Sequence, residues 1–98
     1  MSFTVVATWR AKPGEEGHIR EVLSAMTTLS RAETGCIHYQ AHVSATDPAE
    51  FMLYEQYVDS RAYDAHKSSD HFQAIVVNDA LDHLTERTVR TFETIDWS

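Results

Sequence analysis

The stretch Phe51 to Phe72, FMLYEQYVDSRAYDAHKSSDHF, reads as a buried strand, a sharp break and a helix that carries histidines. Residues 51–58 are almost wholly apolar or aromatic, interrupted by Glu55 and Gln56. Asp59 and Ser60 supply a side-chain oxygen for a helix N-cap. A short helix to about His66 follows, and Lys67-Ser68-Ser69-Asp70 interrupts it before His71. A carboxylate inside an apolar strand is costly unless it is paired or protonated. Titratable groups beside such a strand are the raw material of a small-molecule site.

The third strand opens near Glu50 or Phe51. Phe51, Leu53, Glu55 and Tyr57 line one face, and Met52, Tyr54, Gln56 and Val58 the other. Both faces are largely apolar, so both should be covered. One helix layer covers one face; the other needs a partner, most simply the sheet of a second subunit.

Upstream, Asp47-Pro48 marks a turn. Cys36 to Ser44 reads as a second strand, with Ile37, Tyr39, Ala41 and Val43 on one face and Cys36, His38, Gln40 and His42 on the other. The short polar loop implies an antiparallel hairpin. Further back, Glu15 to Arg31 carries Ile19, Val22, Leu23, Met26 and Leu29 as one helical stripe. His18, near its start, reads as solvated. Residues 3–10 alternate at period two, and Lys12-Pro13-Gly14 stops that strand.

Downstream, a second helical stretch restarts with Phe72, Ile75, Val76 and Leu84 as buried candidates. Residues 87–96 alternate again as strand four, ending with Trp97. The order β-α-β-β-α-β, with the second helix broken, predicts an α+β fold. It is the split βαβ, ferredoxin-like arrangement, an antiparallel sheet with helices on one face.

Ninety-eight residues are expected to form one domain spanning 1–98. A net charge of -7, without a Lys/Arg cluster, disfavours nucleic acid and anionic membrane as partners. Cys36 is the only cysteine, so no intrachain disulfide forms. No apolar run has membrane-spanning length, and the N-terminus lacks signal-peptide character. A cytoplasmic location is the expectation.

Several segments together resemble the antibiotic biosynthesis monooxygenase family. Glu33-Thr34-Gly35-Cys36-Ile37-His38-Tyr39 is similar to its E-P-G-C-x-x-Y junction, with Thr34 in place of the usual Pro. Phe51 to Tyr57 with Glu55, then Ala62, His66 and Ser69-Asp70-His71-Phe72, resemble its E-x-[WY]…A…H…S-x-H-F signature. The resemblance implies a dimeric α+β barrel with a pocket between sheet and helices in each subunit. It also implies one of several chemistries: cofactor-free oxygenation of quinols and polycyclic phenols, haem degradation, or isomerisation of phosphorylated autoinducer-2. Haem-degrading members carry a Trp at the position of His66 and a His near Val76; neither is present, which disfavours haem degradation.

The candidate catalytic residues are His66, His71 and Glu55. His66 would be a general acid/base, since imidazole titrates near neutrality; the alternative is a histidine packing the short helix. His71 lies five residues on and fits a lining or capping role as well. Glu55 would orient a histidine or hold a substrate hydroxyl; otherwise it partners an Arg or Tyr within the sheet. Trp9, Tyr39, Tyr54, Tyr57 and Phe72 are the candidate substrate contacts, as walls for a flat ring. Equally, such residues build cores and interfaces. His38 and His42 share a strand face, but no further ligand stands at motif spacing. No cofactor and no metal are expected.

The leading expectation is a small homodimeric monooxygenase without a bound cofactor, acting on an aromatic quinol or phenol. One rival is an isomerase of a small oxygenated metabolite, with Lys67 and Arg61 as anion contacts. A second rival is a dimer that binds a ligand without turnover, since fold does not fix function.

Overall fold

The computed structural model describes residues 2–95. Its elements are β1 (Phe3–Ala11), α1 (Glu16–Arg31), β2 (Cys36–Val43), β3 (Glu50–Tyr57), α2 (Ser60–Ser68) and β4 (Leu84–Glu93). A π-helical turn (Phe72–Val77) and a 3-10 turn (Ala80–His83) lie between α2 and β4. The four strands form one sheet in the order β2-β3-β1-β4. Every neighbouring pair is antiparallel. This is the ferredoxin-like split arrangement that the alternation of periods predicts.

Period-two alternation sets the two faces. On β1, Val5, Ala7, Trp9 and Ala11 are buried; on β3, Phe51, Leu53, Glu55 and Tyr57 are buried. The register pairs Val5 with Glu55, Ala7 with Leu53 and Trp9 with Phe51, so these side chains share one face. α1 lays Ile19, Val22, Leu23 and Met26 against that face. Pro13-Gly14 turns the chain into α1, with Gly14 at φ +83°, where a side chain would be strained.

α2 begins at an Asp59 cap, whose carboxylate accepts from the Ala62 N–H at 2.9 Å. It runs two residues beyond the expected end at His66 and stops where Ser69 turns extended. Ser69 Oγ donates to the His66 carbonyl at 2.7 Å and accepts from the Phe72 N–H at 3.2 Å. One serine thus closes α2 and opens the next turn. That turn is wide: the Asn78 N–H reaches the Gln73 carbonyl at 2.9 Å, an i→i+5 bond. It buries Val76, with Phe72 and Ile75 half-buried against the same core.

Two local expectations are corrected. A register shift between Cys36 and His38 breaks simple alternation in β2. Ile37 is left 53% exposed, while Cys36 packs against the core. A bulge places two residues opposite one, which period-two counting does not anticipate. β4 also starts at Leu84 rather than residue 87, because Leu84 pairs with Ala11 after a shift in register. The expected terminal Trp97 lies outside the described residues.

The other sheet face carries Val6, Thr8, Met52, Tyr54 and Phe92. Met52, Tyr54 and Phe92 are exposed, and no layer covers them among the described residues. β4 is exposed along its length after a half-buried Leu84. No helix among the described residues is long and apolar enough to cross a membrane.

Candidate functional site

The helix-covered face of the sheet and the α2 layer enclose the titratable groups. α2 presents Tyr63 and His66 inward, three residues apart on one helical face. His66 is 2% exposed. Its Nδ1 lies 2.9 Å from Glu33 Oε2, and His71 Nε2 lies 2.6 Å from the same oxygen. Glu33 therefore accepts from two imidazoles, and it stands in the short loop between α1 and β2. With Nδ1–H donating to Glu33, His66 keeps its Nε2 lone pair, and Glu55 Oε1 lies 3.7 Å from that nitrogen.

Glu55 is 5% exposed. The Tyr57 hydroxyl donates to its Oε1 at 2.6 Å. Desolvation pushes the Glu55 pKa up from 4.5 to about 7, against the Tyr57 hydrogen bond and the more distant Arg87, both of which favour the charged form. Burial also holds the His66 pKa below its ordinary 6.5, although the contact with Glu33 pulls the other way. Desolvation and the Glu55 charge raise both Tyr39 and Tyr57, so these phenols stay protonated. Burial lifts the Cys36 thiol to about 11, which leaves it a poor nucleophile.

Aromatic rings pack around His66, with centroids at 5.2 Å (Phe72), 5.3 Å (Tyr57) and 5.9 Å (Tyr39). Between them lies a cavity of about 20 Å³, which Trp9, Tyr39, Glu55, His66, Phe72 and Arg87 help to line. That is room for roughly one water. The Trp9 Nε1–H is buried without a hydrogen-bond partner among the described residues. A larger groove of about 380 Å³ runs between α1 and the edge strand β2. It contains none of Glu33, Glu55, His66 or His71, whereas Glu55 and His66 line the smaller cavity.

Of the residues expected from sequence, His66, Glu55, Trp9, Tyr39 and Phe72 line this cavity. Tyr57 and His71 stand behind it, each bonded to a carboxylate of the group. Tyr54 does not join them. It pairs with Val6 and Gln40, is exposed on the opposite sheet face, and packs edge-on to His38 at 5.5 Å. Strand parity separates Tyr54 from Tyr57. Lys67 does not line the cavity; its Nζ lies over the Tyr63 ring at 4.5 Å and 3.6 Å from Asp64. Sequence reasoning assigned no role to Glu33 or Arg87. Glu33 had a signal, as the first residue of the quoted junction; Arg87 had none, since its reach depends on the register of β4 against Trp9.

Comparison with known proteins agrees with this architecture. Residues 2–78 match the family model described as antibiotic biosynthesis monooxygenase. A Mycobacterium tuberculosis protein named "Putative monooxygenase Rv0793" is 38% identical over 68 residues, 69% of this chain and 66% of that protein. The structure of Rv0793 superposes with a TM-score of 0.89 at 30% identity, covering 100% of this chain and 99% of that one. PA3566 from Pseudomonas aeruginosa gives a TM-score of 0.90 at 27% identity, covering 97% of this chain and 95% of that one. With a matching family model over most of its length and the same fold in these relatives, this chain belongs to the antibiotic biosynthesis monooxygenase family.

Proposed function

We propose that the protein is a monooxygenase that oxidises an aromatic quinol or phenol with dioxygen and without a bound cofactor. The observation that carries this reading is the buried line Glu33–His66–Glu55 beside an aromatic-walled cavity. His66 is neutral at pH 7 and is fixed by Glu33 with Nε2 free to accept a proton. It removes the proton from a substrate hydroxyl or an activated ring carbon. The imidazolium formed is stabilised by the Glu33 carboxylate at 2.9 Å. The electron-rich anion then reduces dioxygen itself. One oxygen atom ends on the ring carbon, and the other leaves as water with two hydrogens drawn from the ring C–H and the hydroxyl groups, so that a quinol leaves as its hydroxyquinone and a phenol as its quinone. The substrate supplies all four electrons that dioxygen takes up, so no other reductant is needed.

The protein's remaining tasks are orientation and exclusion of water. The Trp9 N–H, without a partner among the described residues, is available to donate to a substrate oxygen. A cavity of about 20 Å³ does not hold a ring, so the walls must open to admit one. Exposed Arg87 and Val89 of β4 and half-buried Phe72 form the side that opens. Of the cations that could serve the isomerase alternative as anion contacts, Lys67 does not line the cavity but Arg87 does, so the need for oxygen is what separates the two readings.

The uncovered sheet face supports a homodimer, in which Val6, Met52, Tyr54 and Phe92 meet a second copy. A cytoplasmic location accords with the low cysteine content. The test is oxygen uptake by protein freed of metal and flavin, with a panel of hydroquinones and polycyclic phenols. Uptake above the buffer rate that is lost in His66→Ala is expected. Absence of uptake with every substrate, or turnover that persists without oxygen, refutes the reading.

A further inference from the structure

A second cluster of histidines and carboxylates takes no part in the site above. His18 and Glu15 stand at the start of α1, and Asp79 and His83 flank the 3-10 turn that leads into β4. His18 Nε2 lies 2.9 Å from Asp79 Oδ1 and 3.1 Å from Oδ2. His83 Nε2 lies 3.2 Å from that same Oδ1. The two imidazole ring centroids lie 4.4 Å apart, with the rings tilted by 53°. On its far side, His83 Nδ1 lies 2.9 Å from Glu15 Oε1.

We propose that His18, Asp79 and His83 form a divalent metal site of the zinc class, with Glu15 as the residue that positions His83. Three observations converge on it. First, the ligand-bearing atoms of the three residues lie within 4.8 Å of one another. Tetrahedral zinc with bonds of about 2.0–2.1 Å sets its ligand atoms roughly 3.3 Å apart. The observed 2.9 and 3.2 Å to Asp79 Oδ1 need only a few tenths of an ångström of opening. Second, two Nε2 atoms point at one carboxylate oxygen. Glu15 takes the Nδ1–H of His83, and a metal at Nε2 displaces the proton which that nitrogen shares with Asp79. This carboxylate–histidine–metal relay is how protein ligands are oriented. Third, the side chains are 31–38% exposed, so an ion can reach them from solution.

Two imidazole nitrogens and a carboxylate oxygen suit zinc, cobalt or nickel better than calcium or magnesium, which require oxygen shells. Water fills the fourth position. The ion ties the start of α1 to the entry of β4, adding to the backbone bond from the Lys12 N–H to the His83 carbonyl at 2.9 Å.

The test is a zinc titration of the intact protein by calorimetry against a competing chelator. Wild type is expected to bind one equivalent at this site with micromolar or tighter affinity. His18→Gln/His83→Gln should lose that equivalent, Glu15→Gln should weaken it about tenfold, and His71→Gln should keep it. Absence of binding by wild type, or an equivalent kept by the double variant and lost in His71→Gln, overturns the proposal. Should the double variant misfold, zinc added to isotope-labelled wild type decides by NMR. Movement of the His18 and His83 imidazole signals together supports the site; movement only of the His66 and His71 signals overturns it.

Discussion

Glu55 and His66 stand 3.7 Å apart, and burial drives both towards their neutral forms. Both burials cost stability, and the two penalties grow in opposite pH directions. Glu55 binds its proton more tightly in the folded chain, so its penalty is absent below pH 4.5 and grows as pH rises through about 7. His66 binds its proton less tightly when folded, so its penalty begins as pH falls below 6.5. At about 1.4 kcal/mol per pH unit, the Glu55 window is worth on the order of 3 kcal/mol. Glu55→Gln should therefore stabilise the protein at pH 8 by up to about that amount, and much less at pH 4.5, in urea melts at both values. A gain equal at both pH values would contradict the assignment. Glu33→Gln should lower kcat by roughly 10²-fold or more with a smaller change in KM, because it disturbs the tautomer and removes the charge behind the imidazolium. The sequence exposed Glu55 as an oddity, since it alone carries a charge amid an apolar run. Glu33 was less legible as a partner, because 33 and 38 residues separate it from His66 and His71.

At the scale of elements, the site depends on how closely α2 approaches the β2 junction. A Cβ at Gly35 would overlap the Ala62 Cβ, so glycine is what lets the helix settle there. The Gly35 carbonyl also accepts from the Val58 N–H at 2.9 Å, holding the end of β3 to the junction. Gly35→Ala should cost about 1–3 kcal/mol by overpacking, measured by chemical denaturation. It should lower activity beyond that loss, since it moves His66 on α2 relative to Glu33 beside Gly35. Wild-type stability in this variant would refute the close approach. Periodicity made β1, α1 and β3 readable to within a residue or two. It failed at the β2 bulge and at the start of β4, where pairing with a neighbour overrides local alternation. It was also blind to the face of β3 that meets α2, because both faces carry aromatic residues. His18 read as solvated for a similar reason: its partner, Asp79, lies 61 residues away.

At the scale of the whole molecule, one sheet face is packed and the other carries exposed Met52, Tyr54 and Phe92. If two copies meet there, a charge at the centre of the patch is buried without a partner. Tyr54→Glu should weaken association by about two orders of magnitude or more, read as a shift from dimer to monomer in sedimentation. Leu29→Glu, on exposed α1 surface, should leave the assembly unchanged. The strand order has a further consequence during synthesis. β1 lies between β3 and β4 in the sheet, yet it is the first strand to leave the ribosome. β3 follows by Tyr57, but the other flank of β1 waits for β4, which ends at Glu93. A nascent chain that pauses between them holds its central strand open as an edge, a template for pairing with any neighbouring chain. Pairing of these last ten residues of sheet with β1 is thus the step that closes this edge.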